Sequence, residues 1–102
     1  MRKLITTPKF NRSLRKFTKR NSELRERVQK TLEQMTEDIF AANLDTHKLS
    51  GSLDGINACS CGYDCRVLFS IFRGRGSANE QDPETEAEVI ILLDVGTHDD
   101  VY

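Results

Sequence analysis

Between Val89 and Val95 six of seven residues are apolar, and four of those six are β-branched. A run that is apolar at both alternating sets of positions predicts a central strand covered on each side, and the branching favours strand over helix. The rest of the chain must then supply a sheet around it and layers above and below it. Gly96 punctuates the end of this strand. The terminal segment, Thr97 to Tyr102, holds His98, Asp99, Asp100 and Tyr102, the densest group of ionisable and aromatic side chains in the sequence. A buried strand that delivers an acid–base residue at its exit is the frame on which the other segments are placed.

A chain of 102 residues is expected to form one domain, spanning 1–102, with a modest core that needs neither disulfides nor a metal. No apolar run approaches the roughly 18 residues of a membrane span, and Met1 to Ile5 lacks the apolar stretch of a signal peptide. The expectation is a cytoplasmic protein with no membrane partner. Three cysteines, an odd number without an export signal, predict reduced thiols. The net charge of −1 conceals a division. Residues 1–30 carry eleven Lys and Arg against Glu23 and Glu26, whereas residues 31–102 carry four against fourteen acids. This predicts a basic face on an otherwise acidic protein.

Residues 2–6 can form a short edge strand. Thr7-Pro8 reads as an N-cap followed by proline at the first helical position. In the helix that begins there, Phe10, Leu14 and Phe17 make one apolar stripe, with Lys9, Arg12, Arg15, Lys16, Lys19 and Arg20 on the other faces. Such a charged surface can simply be solvated; the absence of any acid among these bases gives a phosphate-facing role equal weight. Ser22 can cap a second helix, with Glu23 in its first turn, and Leu24, Val28, Leu32 and Met35 on its apolar side. The two helices predict a helical hairpin, with Ile39, Phe40 and Leu44 extending its apolar contact.

From Asp45 to Gly55 turn formers predict a loop, followed by a strand from Ile56 to Cys61, a turn at Gly62-Tyr63-Asp64 and a second strand from Cys65 to Phe72. Cys65, Val67, Phe69 and Ile71 share one face of it. Arg66 shares the other with Leu68, Ser70 and Phe72. Residues 73–88 predict a long loop. Because one strand begins near Arg66 where the terminal strand ends, Arg66 and His98 are expected to lie close together.

His47-Lys48-Leu49-Ser50-Gly51, Tyr63-Asp64-Cys65-Arg66-Val67-Leu68-Phe69 and Gly96-Thr97-His98-Asp99-Asp100-Val101-Tyr102, together with the basic helical hairpin, resemble the RelE/ParE superfamily of type II toxins. The likeness is greatest to its RelE and YafQ-like branch, and it covers nearly the whole chain. It implies an α+β fold in which the N-terminal helical hairpin packs on a small antiparallel sheet of about four strands. It also implies a ribosome-dependent endoribonuclease that cuts messenger RNA and is neutralised by a cognate antitoxin, without a cofactor. The matched functional positions are His47, Asp64, His98 and Tyr102 from the YafQ-like pattern and Arg66 from the RelE-like one. Ser60 stands where that pattern has a further histidine, Cys65 where it has tryptophan, and Asp94 near an expected arginine.

Cleaving RNA without a metal needs a base for the 2′-hydroxyl, an acid for the 5′-oxygen and positive charge for the transition state. His98 suits the acid, His47 or Asp64 the base, Arg66 the charge, and Tyr102 can stack on a base or orient the phosphate. Lys9, Arg12, Arg15, Lys16, Lys19, Arg20 and Lys48 are the candidate RNA contacts. Each residue also has a plainer reading. Asp64 can start a turn, Arg66 can pair with Asp94 across the sheet, and Tyr102 can pack on the core. Zinc held by Cys59, Cys61 and Cys65 is disfavoured because the spacing is not that of a CxxC pair. Two other classes remain: a ParE-like gyrase-binding toxin without nuclease activity, and an inactive member of the same fold.

Overall fold

The computed structural model describes residues 3–49, 55–75 and 86–101. In order these form β1 (Lys3–Thr6), α1 (Pro8–Thr18), α2 (Ser22–Glu37), a 3₁₀ turn (Ala42–Leu44), β2 (His47–Lys48), β3 (Asn57–Ser60), β4 (Arg66–Arg75), β5 (Glu86–Gly96) and α3 (His98–Val101). The strands make one five-stranded sheet in the order β1-β5-β4-β3-β2. The class is the expected α+β, with the helical hairpin on one face. The sheet is larger than the four antiparallel strands expected, and it is mixed, because β1 pairs with β5 in parallel, Ile5 beside Ile91. The remaining pairings are antiparallel.

Local chemistry starts each helix where its first turn needs a partner. The Thr7 hydroxyl accepts from the Phe10 N–H at 3.2 Å and donates to the Leu92 carbonyl at 2.9 Å, so the α1 cap is also a tether to the central strand. Pro8 follows at the first helical position. α2 is capped by Asn21, whose Oδ1 accepts from the Leu24 N–H at 3.0 Å, and not by Ser22. Asn21 lies outside the helix, with φ −137° and ψ 87°, and its carboxamide meets an N–H of the first turn; Ser22 is already helical.

Both helices bury the stripes read from their periodicity. Phe10, Val28, Met35, Ile39, Leu44, Cys59, Val67, Phe69, Ile90, Leu92 and Val95 form the main core, with Leu14, Phe17, Leu24 and Leu32 packed against it. Burying a side chain such as Phe69 contributes about 2–3 kcal/mol. Phe40 departs from expectation. It is 65% exposed, because the chain turns sharply after α2 and Ile39 takes the inward position.

Three further features also differ. The segment expected as a loop from Asp45 to Gly55 contains β2, whose two residues pair with Ala58 and Asn57. The expected loop 73–88 is shorter, since Arg73, Gly74 and Arg75 pair with Glu88, Ala87 and Glu86; residues 76–85 lie outside the described residues. Gly74, Gly76, Pro83 and five acids between residues 73 and 88 read as loop by composition, although the two ends of the segment pair as strand. Finally, β5 contains a bulge: Leu68 stands opposite Asp94 but Phe69 opposite Leu92. The extra residue, Leu93, breaks the alternation, so that Ile90, Leu92 and Val95 all join the core beneath the helices.

Thr7→Ala is expected to lower the stability of the folded chain by about 1–2 kcal/mol, since it removes a cap and a tether together, whereas Thr7→Ser should recover most of the loss. Urea denaturation of the three proteins checks this.

Candidate functional site

The helices cover one face of the sheet. The other carries a smaller cluster of Ala58, Leu68 and Val101, flanked by Leu49, Ile56 and Leu93. Val101 reaches it because α3 folds back over the end of β5. Gly96 permits this turn: a Cβ there would lie 3.0 Å from the Asp100 Cβ. Thr97 and Asp100 cap the short helix reciprocally, Asp100 N–H to Thr97 Oγ1 at 3.2 Å and Thr97 N–H to Asp100 Oδ2 at 3.3 Å. This helix was not expected from the sequence, although the spacing Thr-x-x-Asp is a signal that could have marked its start.

His98, the first residue of α3, is placed by this turn beside the β3–β4 turn. Its backbone N–H donates to Asp64 Oδ1 at 3.2 Å, and its Nδ1 lies 3.7 Å from Asp99 Oδ1. Arg66 begins β4 directly opposite Gly96 on one side and Ser60 on the other. Its Nη1 donates to the Cys65 carbonyl at 2.9 Å and the Gly62 carbonyl at 3.2 Å, and lies 3.5 Å from Ser60 Oγ. Asp64, Arg66 and His98 are therefore brought together, as the strand ends suggested. Arg66 does not pair with Asp94. That carboxylate is turned toward α1, 3.5 Å from Lys9 Nζ, and also accepts from the Val95 N–H at 2.9 Å.

His47 stands apart from these three. It is on the outer strand β2, opposite Ala58, which is in turn opposite Leu68. Directly opposed residues share a face, so His47 is on the open face with Arg66 but two strands, about 10 Å, to one side. Its Nδ1 lies 2.9 Å from the Asp45 carbonyl, and with Lys48, Asn57 and Phe40 it lines a cleft of about 640 Å³. Tyr102 lies outside the described residues, as do Ser50 and Gly51 of the first resemblance motif.

Arg12, Arg15 and Lys16 of α1, and Lys19 and Arg20 just after it, are all exposed, but on the helix side of the sheet and not on the Arg66 side. Lys16 approaches the site end, lining a cleft of about 380 Å³ with Phe17, Asp94, Val95 and Asp100, and Lys9 reaches Asp94 of the same cleft. α2 contributes a base that its helical pattern could not single out. Arg27 lies across Gly62, so that a Cβ on that glycine would be 2.7 Å from Arg27 Cδ, and Gly62 has a φ of +121°. Arg27 and Lys30 border a hollow with Ser60 and Gly62.

The cysteines correct the expectation of three reduced thiols. Cys61 and Cys65 are joined in a disulfide with a Cα–Cα distance of 5.0 Å, leaving Cys59 as the free one. Cys61 follows β3, Cys65 precedes β4, and both are buried on the helix side, so a tight turn between antiparallel strands brings them within bridging range. The count of cysteines could not show this pairing. Among the described residues no three His, Cys, Asp or Glu side chains gather as metal ligands, and no helix is long and apolar enough to cross a membrane. Cys59 is buried, and burial pushes its thiol up to about 12, with Arg66 acting weakly in the other direction.

No family model matches the sequence, and no curated protein matches it. Solved structures do. A YafQ structure from E. coli superposes with a TM-score of 0.73 at 12% identity, over 100% of this chain and 99% of that one. The chain has the RelE-like toxin fold. A metal-bound toxin from Helicobacter pylori gives 0.71 at 21% identity over the full length of both chains. A YoeB/ParE toxin from Agrobacterium tumefaciens gives 0.70 at 14% identity, over 94% of this chain and 98% of that one. YafQ is also known in an E. coli toxin–antitoxin complex with DinJ, where its TM-score to this chain is 0.68 at 13% identity, over 99% of this chain and 97% of that one.

Iodoacetamide at pH 9 should leave the native protein unmodified, because the buried Cys59 keeps its proton to about 12 and the other two cysteines are bridged. After unfolding without reductant, one alkyl group should appear per chain. Peptide mapping by mass spectrometry should place it on Cys59, with Cys61 and Cys65 joined.

Proposed function

We propose that this protein is the toxin of a type II toxin–antitoxin pair. It cleaves messenger RNA on the ribosome, by attack of the ribose 2′-oxygen on the adjacent phosphate, and a cognate antitoxin silences it. The observation that carries this reading is the placement of Arg66, Asp64 and His98 at one end of the open sheet face, on the fold that YafQ and YoeB/ParE toxins share.

The geometry supports the following assignment of roles. All three bracing bonds of Arg66 use Nη1, so Nε and Nη2 present the remaining edge of the guanidinium to the phosphate oxygens. Pre-set charge of this kind stabilises the pentavalent transition state without reorganisation. Arg66 lies between His98, one strand to its side, and His47, two strands to the other. In-line displacement needs a base and an acid on opposite sides of the phosphorus. His47 accordingly takes the 2′-hydroxyl proton and His98 gives one to the departing 5′-oxygen. Asp64 is a positioning residue that anchors the His98 backbone. Lys16, Arg27 and Lys30 at the same end, and the other α1 bases further off, meet messenger or ribosomal phosphates.

Primer extension on messenger RNA, with and without programmed ribosomes, tests this. Cuts should require ribosomes and slow by roughly 100-fold or more in Arg66→Ala and in His98→Ala. Intact RNA in every lane from a protein that still arrests growth would remove the nuclease reading and redirect the search to gyrase.

A further inference from the structure

Tyr63 is 96% exposed, more than any other large apolar side chain among the described residues. A solvent-facing tyrosine needs no explanation by itself. Its mounting does. It occupies the tip of a turn that the Cys61–Cys65 disulfide closes, and the Cys61 N–H donates to the Cys65 carbonyl at 3.0 Å across the same gap. The Cys65 N–H donates to the Gly62 carbonyl at 3.3 Å, and Ser60 Oγ is within 3.2 Å of both the N–H and the carbonyl of Gly62. Left-handed backbone at Gly62 (φ +121°) and Asp64 (φ +51°) flanks the tyrosine.

The neighbours of Tyr63 are the site itself. Asp64, one Cα step of about 3.8 Å away, anchors His98, and the carbonyls of Gly62 and Cys65 hold Arg66. An aromatic ring on a pre-ordered turn has only two side-chain torsions to fix on binding, so contact costs little entropy. With the Arg66 guanidinium bonded to the carbonyl of the preceding Gly62 and Arg27 lying against that glycine, the combination is that of a single-stranded nucleic-acid contact, in which bases stack on rings while cations hold phosphates.

We propose that Tyr63 is a stacking platform for the unpaired nucleobase next to the phosphate bound by Arg66, held rigid by the Cys61–Cys65 bridge. This rests on the RNA-cleaving reading above and extends it to how the strand is held. Every base offers a π-face, so the platform fixes the position of the strand without reading its sequence.

The test uses the full chain and its Tyr63→Phe and Tyr63→Ala variants. Fluorescence anisotropy measures binding to a short 2′-O-methyl RNA, which cannot be cut, and to an abasic oligomer of equal length; cleavage of ribosome-bound message is followed in parallel. Tyr63→Ala should weaken binding of the base-bearing RNA roughly tenfold, Tyr63→Phe should stay within about twofold, and all three should bind the abasic strand alike. An unchanged Kd for Tyr63→Ala overturns the platform, and cutting by the parent would then leave the nuclease reading in place. Equal losses on both oligomers overturn it too, since they mark a merely structural role. The expected pattern without any cutting sustains the platform and removes the nuclease reading instead.

Discussion

The antiparallel pairing of β4 with β5 sets the position of almost everything else. Ten residue pairs run from Arg66↔Gly96 to Arg75↔Glu86, interrupted by one bulge at Leu93. Without the bulge, Val95 would turn away from the helices and the end of β5 would leave the sheet on the wrong face. With it, Val95 is buried under the helices while the chain still emerges opposite Arg66, where Gly96 lets α3 fold back. A single irregularity thus reconciles a continuous core on one face with the candidate site at the strand's exit.

The site is built mostly by backbone. Asp64 binds a backbone N–H of α3, Arg66 binds two backbone carbonyls, and the turn between them is closed by a covalent bridge. Side chains held this way depend little on the identity of their neighbours, only on the path of the chain. The fold itself is shared with toxin structures at 12–21% identity. Such anchoring also allows Ser60 to brace Gly62 and Arg66 where the YafQ-like pattern has a histidine.

Much of the scaffold was legible because it obeys simple periods. The stripe Phe10, Leu14, Phe17, the face Val67, Phe69, Ile71 and the Thr7-Pro8 start all follow from local geometry, and the meeting of Arg66 with His98 follows from the direction of two strands. The features that were not legible depend on partners distant in sequence. The two residues of β2 have no strand character and exist through pairing with β3. The parallel docking of β1, the Leu93 bulge and Asp94 turning to Lys9 are each decided by tertiary fit. The disulfide escaped because parity and compartment say nothing of two particular cysteines facing each other over a turn. Arg27 escaped because a helix pattern shows which face is polar, not which polar residue overhangs a glycine.

The strand order has a consequence for how the protein is made. Among the described strands β5 is the last to be synthesised, yet it lies between β1, the first of them, and β4. β1 has no other strand to pair with among the described residues, so it stays unpaired until residues 86–96 have emerged, and the contacts that complete the sheet are long-range ones. The same segment ends at Gly96 and leads into His98. A nascent chain can pair β2, β3 and β4 as they emerge, but it cannot bring His98 to Asp64 and Arg66, or give β1 its strand partner, before β5 has been made.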